Sequence, residues 1–177
     1  THASIAQAIA VAIPENAIVV DESITTGRGF FPPTAGAAPH DWLQNMGGSI
    51  GFSTPVATGA AVACPDRKVI CMVGDGSAMY TLQSLWTQAR EGLDVTTIVF
   101  ANRTYQILKG EFAGVDAGEP GRKALDMLNL DNPSLNWVSL ANGMGVTAIS
   151  VRTAEDFSRA LADSMREKGP RLIEVVM

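Results

Sequence analysis

Cysteine and histidine are both scarce in this chain, with two of each in 177 residues. Cys64 and Cys71 sit in the apolar runs Ala-Ala-Val-Ala-Cys and Val-Ile-Cys-Met-Val, without C-x-x-C spacing and without a neighbouring His. Neither a disulfide framework nor a Cys/His metal site is therefore expected, and both cysteines read as small core residues. His2 and His40 are far apart, the second in the turn-rich Ala37-Ala38-Pro39-His40-Asp41, and both read as solvated. Excess positive charge is missing as well. Thirteen Lys and Arg against 18 Asp and Glu leave a net charge of -5, too few cations to neutralise a phosphate backbone, so nucleic acid is not an expected partner. No apolar run reaches the roughly 20 residues of a membrane helix, and the opening Thr1-His2-Ala3-Ser4 lacks the charged and apolar regions of a secretory signal. These absences predict a soluble, cytoplasmic protein without a membrane partner. Beginning on Thr1 rather than Met, the chain reads as part of a longer one.

What is present is apolar residue in quantity, 46% of the chain, enough for one core and hence a single domain over residues 1–177. Ala3 to Ile13 reads as a helix stopped by Pro14, and Ala17 to Asp21 as a buried strand. Thr25 to Gly51 is rich in Gly and Pro without a clear period, which in so long a connection points to function. Helices are expected over Pro55–Ala63 and Tyr80–Arg90, the second closed by Gly92, with strands over Lys68–Val73 and Val95–Ala101. Gly110 to Gly121 reads as a flexible insertion. A helix over Leu135–Asn142, a strand over Val146–Val151, a Thr153-capped helix over Ala154–Lys168 with Asp156 at the capping-box position, and a strand over Arg171–Val176 follow. Buried strands alternating with helices predict an α/β fold, a doubly wound and mainly parallel sheet with helices on both faces, whose ligands sit beyond the carboxyl ends of the strands.

The sharpest local feature is Val73-Gly74-Asp75-Gly76-Ser77, between a strand and a helix, where backbone amides can point at an anion. It is neither a dinucleotide fingerprint, since Met79 stands where the third glycine belongs, nor a Walker loop, since no Gly-Lys-Ser/Thr follows. Asn102, at the end of the next strand, falls on the same sheet edge as Asp75. A carboxylate and an amide oxygen, completed by a backbone carbonyl, suit a hard cation such as Mg²⁺ that takes its other oxygens from phosphate and water. By themselves these residues also fit a non-catalytic nucleotide- or phosphate-binding module, or a simple Asx-turn at Asn102.

With Gly47-Gly48-Ser49-Ile50-Gly51-Phe52, Gly74 to Ala78, Leu85-Trp86-Thr87, Asn102-Arg103-Thr104-Tyr105 and the closing Gly169-Pro170-Arg171-Leu172-Ile173-Glu174-Val175, the sequence resembles the pyrophosphate-binding domain of thiamin diphosphate enzymes. Within that superfamily it is most similar to the acetolactate synthase large subunit and to benzoylformate decarboxylase. Ala101 stands where the family usually has the first of two Asn, while Asn102 matches the second. The resemblance implies thiamin diphosphate and Mg²⁺ as cofactors, with Asp75, the Asn102 side chain and the Thr104 carbonyl on the metal, and Gly74, Gly76 and Ser77 on the diphosphate. It implies that Ile50 wedges the cofactor into its bent shape, that the Gly48 carbonyl accepts from the aminopyrimidine, that Ser23, Ile24 and Thr25 form another loop contacting the diphosphate, and that Tyr105 is among the cofactor-binding residues.

It further implies that these residues form the C-terminal domain of a homodimer or homotetramer. The Glu that activates the cofactor would come from a pyrimidine-binding domain of the same or a neighbouring subunit, leaving no catalytic residue in this segment. A small 2-oxo acid is the implied substrate, and an isolated 177-residue piece is expected to be inactive. Ile107 and Glu111 match pocket-lining positions on a short helix. A branched Ile narrows the pocket towards pyruvate-sized acids and acetolactate synthase-like carboligation, with benzoylformate decarboxylation as the alternative, while Glu111 replaces a large aromatic. Lys109 to Gly121, rich in Gly and acids, is expected to be a loose lid in the absence of cofactor.

Overall fold

The computed structural model describes residues 1–115 and 118–177. Helix α1 (His2–Ala12) leads to strand β1 (Ile18–Glu22), a single turn α2 (Ile24–Gly27), a 3-10 turn Pro32–Gly36 and strand β2 (Asp41–Gln44). Then come α3 (Ser53–Ala63), β3 (Val69–Gly74), the short turn α4 (Asp75–Ala78), α5 (Ser84–Arg90) and β4 (Val95–Ala101). The remainder comprises α6 (Gln106–Gly114), α7 (Arg122–Leu128), α8 (Trp137–Gly143), β5 (Thr147–Val151), α9 (Ala154–Arg166) and β6 (Arg171–Val176).

The six strands form one sheet in the order β2-β1-β3-β4-β6-β5, every neighbouring pair parallel. Alternation along β3 shows why. Ile70 and Met72 face the cluster built by Ile5 and Ile9 of α1 and Phe157 and Leu161 of α9, whereas Val69 and Cys71 face Ala57 and Ala61 of α3. Val73, on the same side, meets Leu85 of α5 with Trp137 and Ala141 of α8. A strand buried on both faces must be apolar throughout, which is what reads in the sequence as a continuous run. Small residues in α3 let that helix lie close to the strands. The doubly wound α/β arrangement expected from the alternation is thus the one observed.

Four local expectations are corrected. Thr25–Gly51 holds an edge strand, β2, pinned where Arg67 donates to the Asn16 and Ala17 carbonyls and pairs with Asp41 at 2.6 Å; its four residues are too few to show a period. The helix expected from Tyr80 starts at Ser84, because Tyr80, Thr81, Ser84 and Leu85 donate to carbonyls three residues back and the Thr81 hydroxyl is drawn off to the Gly51 carbonyl. Lys109–Gly114, expected to be loose, completes α6, and Asp116 and Ala117 lie outside the described residues. His40, expected in solvent, is half-buried: its Nδ1 donates to the Ala38 carbonyl at 2.7 Å and its ring stands 6.0 Å from that of Trp42. Of the cysteines, Cys71 is fully buried and Cys64 partly so. Burial pushes the Cys71 thiol up to about 12, leaving it inert.

Candidate active site

The strand order runs outward from β1 to β2 on one side and from β3 to β4 on the other, so the winding reverses between β1 and β3. Loops leaving the carboxyl ends of these two strands diverge and open a crevice, the usual ligand position in such sheets. The residues singled out in the sequence fall at this edge in two groups.

The first group lies beyond β3 and β4. Gly74 pairs with Phe100 in register, which brings the turn Gly74–Ser77 alongside Asn102–Tyr105. Asp75 is 2% exposed. Its Oδ1 accepts from the Gly76 amide at 2.9 Å and its Oδ2 from the Arg103 amide at 2.7 Å, so the residue that follows Asn102 is bonded directly to Asp75. No ion pair among the described residues uses this carboxylate. Burial raises its pKa above the ordinary carboxylate value, opposed by the two amides. Each oxygen accepts one hydrogen bond and keeps a lone pair. Asn102 Oδ1 accepts from the Thr104 amide at 3.0 Å, an Asx-turn, and the Thr104 carbonyl accepts none of the described hydrogen bonds.

Tyr105 lies against Gly76. A Cβ on Gly76 would stand 2.8 Å from the ring, whereas a Cβ on Gly74 would meet nothing within 4 Å. The turn is closed on the protein side and open on the crevice side. Arg103–Tyr105 is in turn stitched to the end of α7: Leu130 donates to the Arg103 carbonyl, and the Tyr105 amide and Thr104 hydroxyl donate to that of Leu128. Ile107 and Glu111 follow on α6, both exposed.

The second group lies beyond β1. The Ser23 amide donates to Asp21 at 2.9 Å and Ser23 is buried, while Ile24 and Thr25 begin α2, which packs against the end of β3 and against α6. Gly48 and Ile50 lie in the loop before α3, with Ile50 56% exposed. Sequence reasoning missed the residue that joins these two loops. Glu22, 1% exposed, accepts from the Gly51 amide at 2.5 Å and the Ser53 amide at 2.9 Å. The only sequence signal was an acid closing an apolar strand.

Backbone strain marks the same edge. Ile24 has φ 47° and Arg103 φ 57°, and a left-handed conformation is a genuine outlier for a β-branched residue. Among the described residues, no three His, Cys, Asp or Glu side chains gather into an all-protein metal cage. Asp75, Asn102 and Thr104 carry oxygens at neighbouring strand ends, donors of the kind a hard cation takes when a phosphate ligand and water complete its shell.

A parallel sheet with a glycine turn after a central strand and polar residues at its switch point is the arrangement in which α/β domains commonly bind phosphate ligands. Comparison narrows the class. The model of the family described as "Thiamine pyrophosphate enzyme, C-terminal TPP binding domain" matches residues 31–175, and the chain belongs to that family. It is 52% identical over its whole length to a Mycobacterium tuberculosis protein named "Putative acetolactate synthase large subunit IlvX", of which it covers 35%. It is 36% identical over 92% of its length to a Pseudomonas aeruginosa benzoylformate decarboxylase, of which it covers 29%. Among solved structures, the thiamine diphosphate-dependent 4-hydroxybenzoylformate decarboxylase of Rhodococcus jostii RHA1 superposes with a TM-score of 0.84 at 33% identity, over 99% of this chain and 32% of that one. The chain spans about a third of the length of the relatives it matches.

Proposed function

We propose that this chain is the part of a thiamin diphosphate-dependent 2-oxo acid decarboxylase or carboligase that holds the diphosphate and its Mg²⁺, working as one domain of a longer, oligomeric enzyme. The observation that carries the reading is Asp75: a buried carboxylate used by no ion pair among the described residues, beside an open glycine turn and bonded to the segment that carries Asn102 and Thr104. A charge so placed is costly unless a counter-ion joins it. Mg²⁺ would be held by Asp75, Asn102 and the Thr104 carbonyl, and the diphosphate by Gly74, Gly76 and Ser77 with Ser23, Ile24 and Thr25 on the facing loop. Gly48, Ile50 and Tyr105 would support the rings. The cofactor, when bound, supplies the electron sink that makes loss of CO₂ from a 2-oxo acid feasible. The chain's own residues position it, and activation of the cofactor would be left to a Glu of a pyrimidine-binding domain.

Titration calorimetry of the intact protein tests this, with thiamin diphosphate and with ADP, each with and without Mg²⁺. Thiamin diphosphate should bind in a Mg²⁺-dependent manner and ADP poorly. Asp75→Asn should weaken thiamin diphosphate binding by about 2–4 kcal/mol, because it removes the charge that a cation would meet and turns an acceptor of the Gly76 or Arg103 amide into a donor. Equal, metal-indifferent binding of both ligands would point to a general phosphate-binding module instead.

For the substrate, Ile107 on α6 supports a pyruvate-sized acid and acetolactate synthase-like carboligation. A second reading, decarboxylation of an aryl 2-oxo acid, is favoured by the superposition on the 4-hydroxybenzoylformate decarboxylase. Steady-state turnover of pyruvate against benzoylformate separates the two.

A further inference from the structure

We infer that Glu22 is a positioning residue for the cofactor: its buried carboxylate holds Gly48 and Ile50 in place opposite the Gly74–Ser77 turn. The inference rests on the reading of the site as a thiamin diphosphate site and goes beyond it, because Glu22 has no place in the family motifs that led to that reading. Three contacts define the clamp. Glu22, the last residue of β1, takes the Gly51 amide on one oxygen and the Ser53 amide on the other. The Gly51 carbonyl accepts from the Thr81 hydroxyl at 2.7 Å, and Thr81 lies just beyond α4. On the other side of Ile50, Asn45 closes the loop by donating to the Ser49 carbonyl at 3.1 Å and accepting from the Ser49 amide at 2.9 Å. Ile50 is therefore flanked by two residues whose backbone is tied down, while its own side chain is 56% exposed. An apolar side chain kept out of the core on a pinned loop is displayed for something to lie on it.

The cost of the arrangement argues for a role beyond capping. The first amides of α3 need an acceptor, and Ser, Thr or Asp at the N-cap position would provide one locally without burying a charge. That position holds Phe52 instead. The acceptor comes from Glu22, 31 residues earlier and 1% exposed, and no ion pair among the described residues uses its carboxylate. A local cap would order the helix equally well. Only a cap from β1 also fixes the height of the loop against the sheet edge and ties it to Ser23–Thr25, the next residues along the chain. Gly51 admits no alternative: its φ is 82°, and a Cβ there would stand 2.6 Å from the Tyr80 Cβ.

The experiment compares wild type with Glu22→Gln, which keeps the size but turns one acceptor into a donor facing an N–H. Amide hydrogen exchange over residues 47–53 of the cofactor-free protein should speed up by about tenfold or more in the variant. Calorimetry with Mg²⁺ then uses two probes, thiamin diphosphate and inorganic diphosphate. Thiamin diphosphate affinity should fall by about tenfold, while inorganic diphosphate, which needs only the Gly74–Ser77 half, should bind as before. Unchanged exchange, or an equal loss for both probes, overturns the inference and leaves Glu22 a structural cap.

Should Glu22→Gln fail to fold, Thr81→Val releases the Gly51 carbonyl while leaving the buried charge capped. It should reproduce the selective loss, and its failure to do so counts against the clamp. If wild-type protein binds thiamin diphosphate no better than inorganic diphosphate, the functional reading fails, and the exchange comparison still decides whether Glu22 holds the loop.

Discussion

At the scale of single residues, buried acids tell most about this molecule, because a carboxylate removed from water must be compensated by something. Three stand at the carboxyl edge of the sheet. Glu22 is compensated by two amides of the loop and of α3, and Asp75 by two amides with lone pairs to spare. Asp21, partly buried, accepts from the Ser23 amide and hydroxyl, yet burial outweighs these bonds and raises its pKa above the ordinary value. The sign of its effect on stability follows. The folded state binds the Asp21 proton more readily than the unfolded state, so the Asp21 contribution favours folding increasingly as pH falls from neutrality towards the carboxylate range, and is lost as pH rises through the folded-state value. Asp21→Asn should flatten that part of the pH profile and raise neutral-pH stability. Urea midpoints at a series of pH values check this, and an unaltered profile would count against it.

At the scale of elements, the close approach between the α4 turn and the start of α6 carries the site. Gly76 and the Tyr105 ring are in contact because Gly76 has no side chain, and the Tyr105 backbone is held by its amide, which donates to the Leu128 carbonyl. Gly76→Ala should therefore cost about 1–3 kcal/mol by overpacking. Since the ring is the obstacle, Gly76→Ala with Tyr105→Ala should cost less than the sum of the two single changes; denaturant titration of the four proteins closes the cycle. Strict additivity would mean that the ring yields without cost. The sequence marked Gly76 and Tyr105 through motif resemblance, but their contact depends on β3 and β4 pairing in register, a fact of the sheet rather than of either segment.

At the scale of the whole molecule, the sheet divides the core, and α1 and α9 cover one face together. Phe157, fully buried, lies in the cluster that joins Ile5 and Ile9 of α1 to Ile70, Ile98 and Ile173 of the central strands. Phe157→Ala should cost about 3–5 kcal/mol through lost burial and the cavity left behind. The denaturant midpoint should fall without a change in slope, the sign of a single cooperative unit. A biphasic transition would show instead that the α1–α9 layer melts apart from the rest. The opposite face, with α3, α5 and α8, bears the helices that begin next to the glycine turn and the Glu22 clamp. Its small residues, such as Ala57 and Ala61, serve close packing rather than chemistry.

What the sequence determined by itself was whatever depends on short range. Runs such as Val69–Val73 and Val95–Ala101 had to be strands buried on both faces, because no other element of that length hides so many β-branched residues. The Thr153 cap, with its hydroxyl accepting from the Asp156 amide at 3.1 Å, needs only three residues to be seen. The same holds for the glycine turn after β3. Tertiary structure decided what depends on partners far apart in the chain. β2 is a strand because β1 and Arg67 hold it, not because Asp41–Gln44 has a pattern. The Tyr80–Gln83 stretch forfeits its helix because Thr81 is engaged by Gly51, 30 residues away. Glu22 meets that loop because folding brings the end of β1 beneath a segment some 30 residues later, where the buried acid accepts from the amides of Gly51 and Ser53.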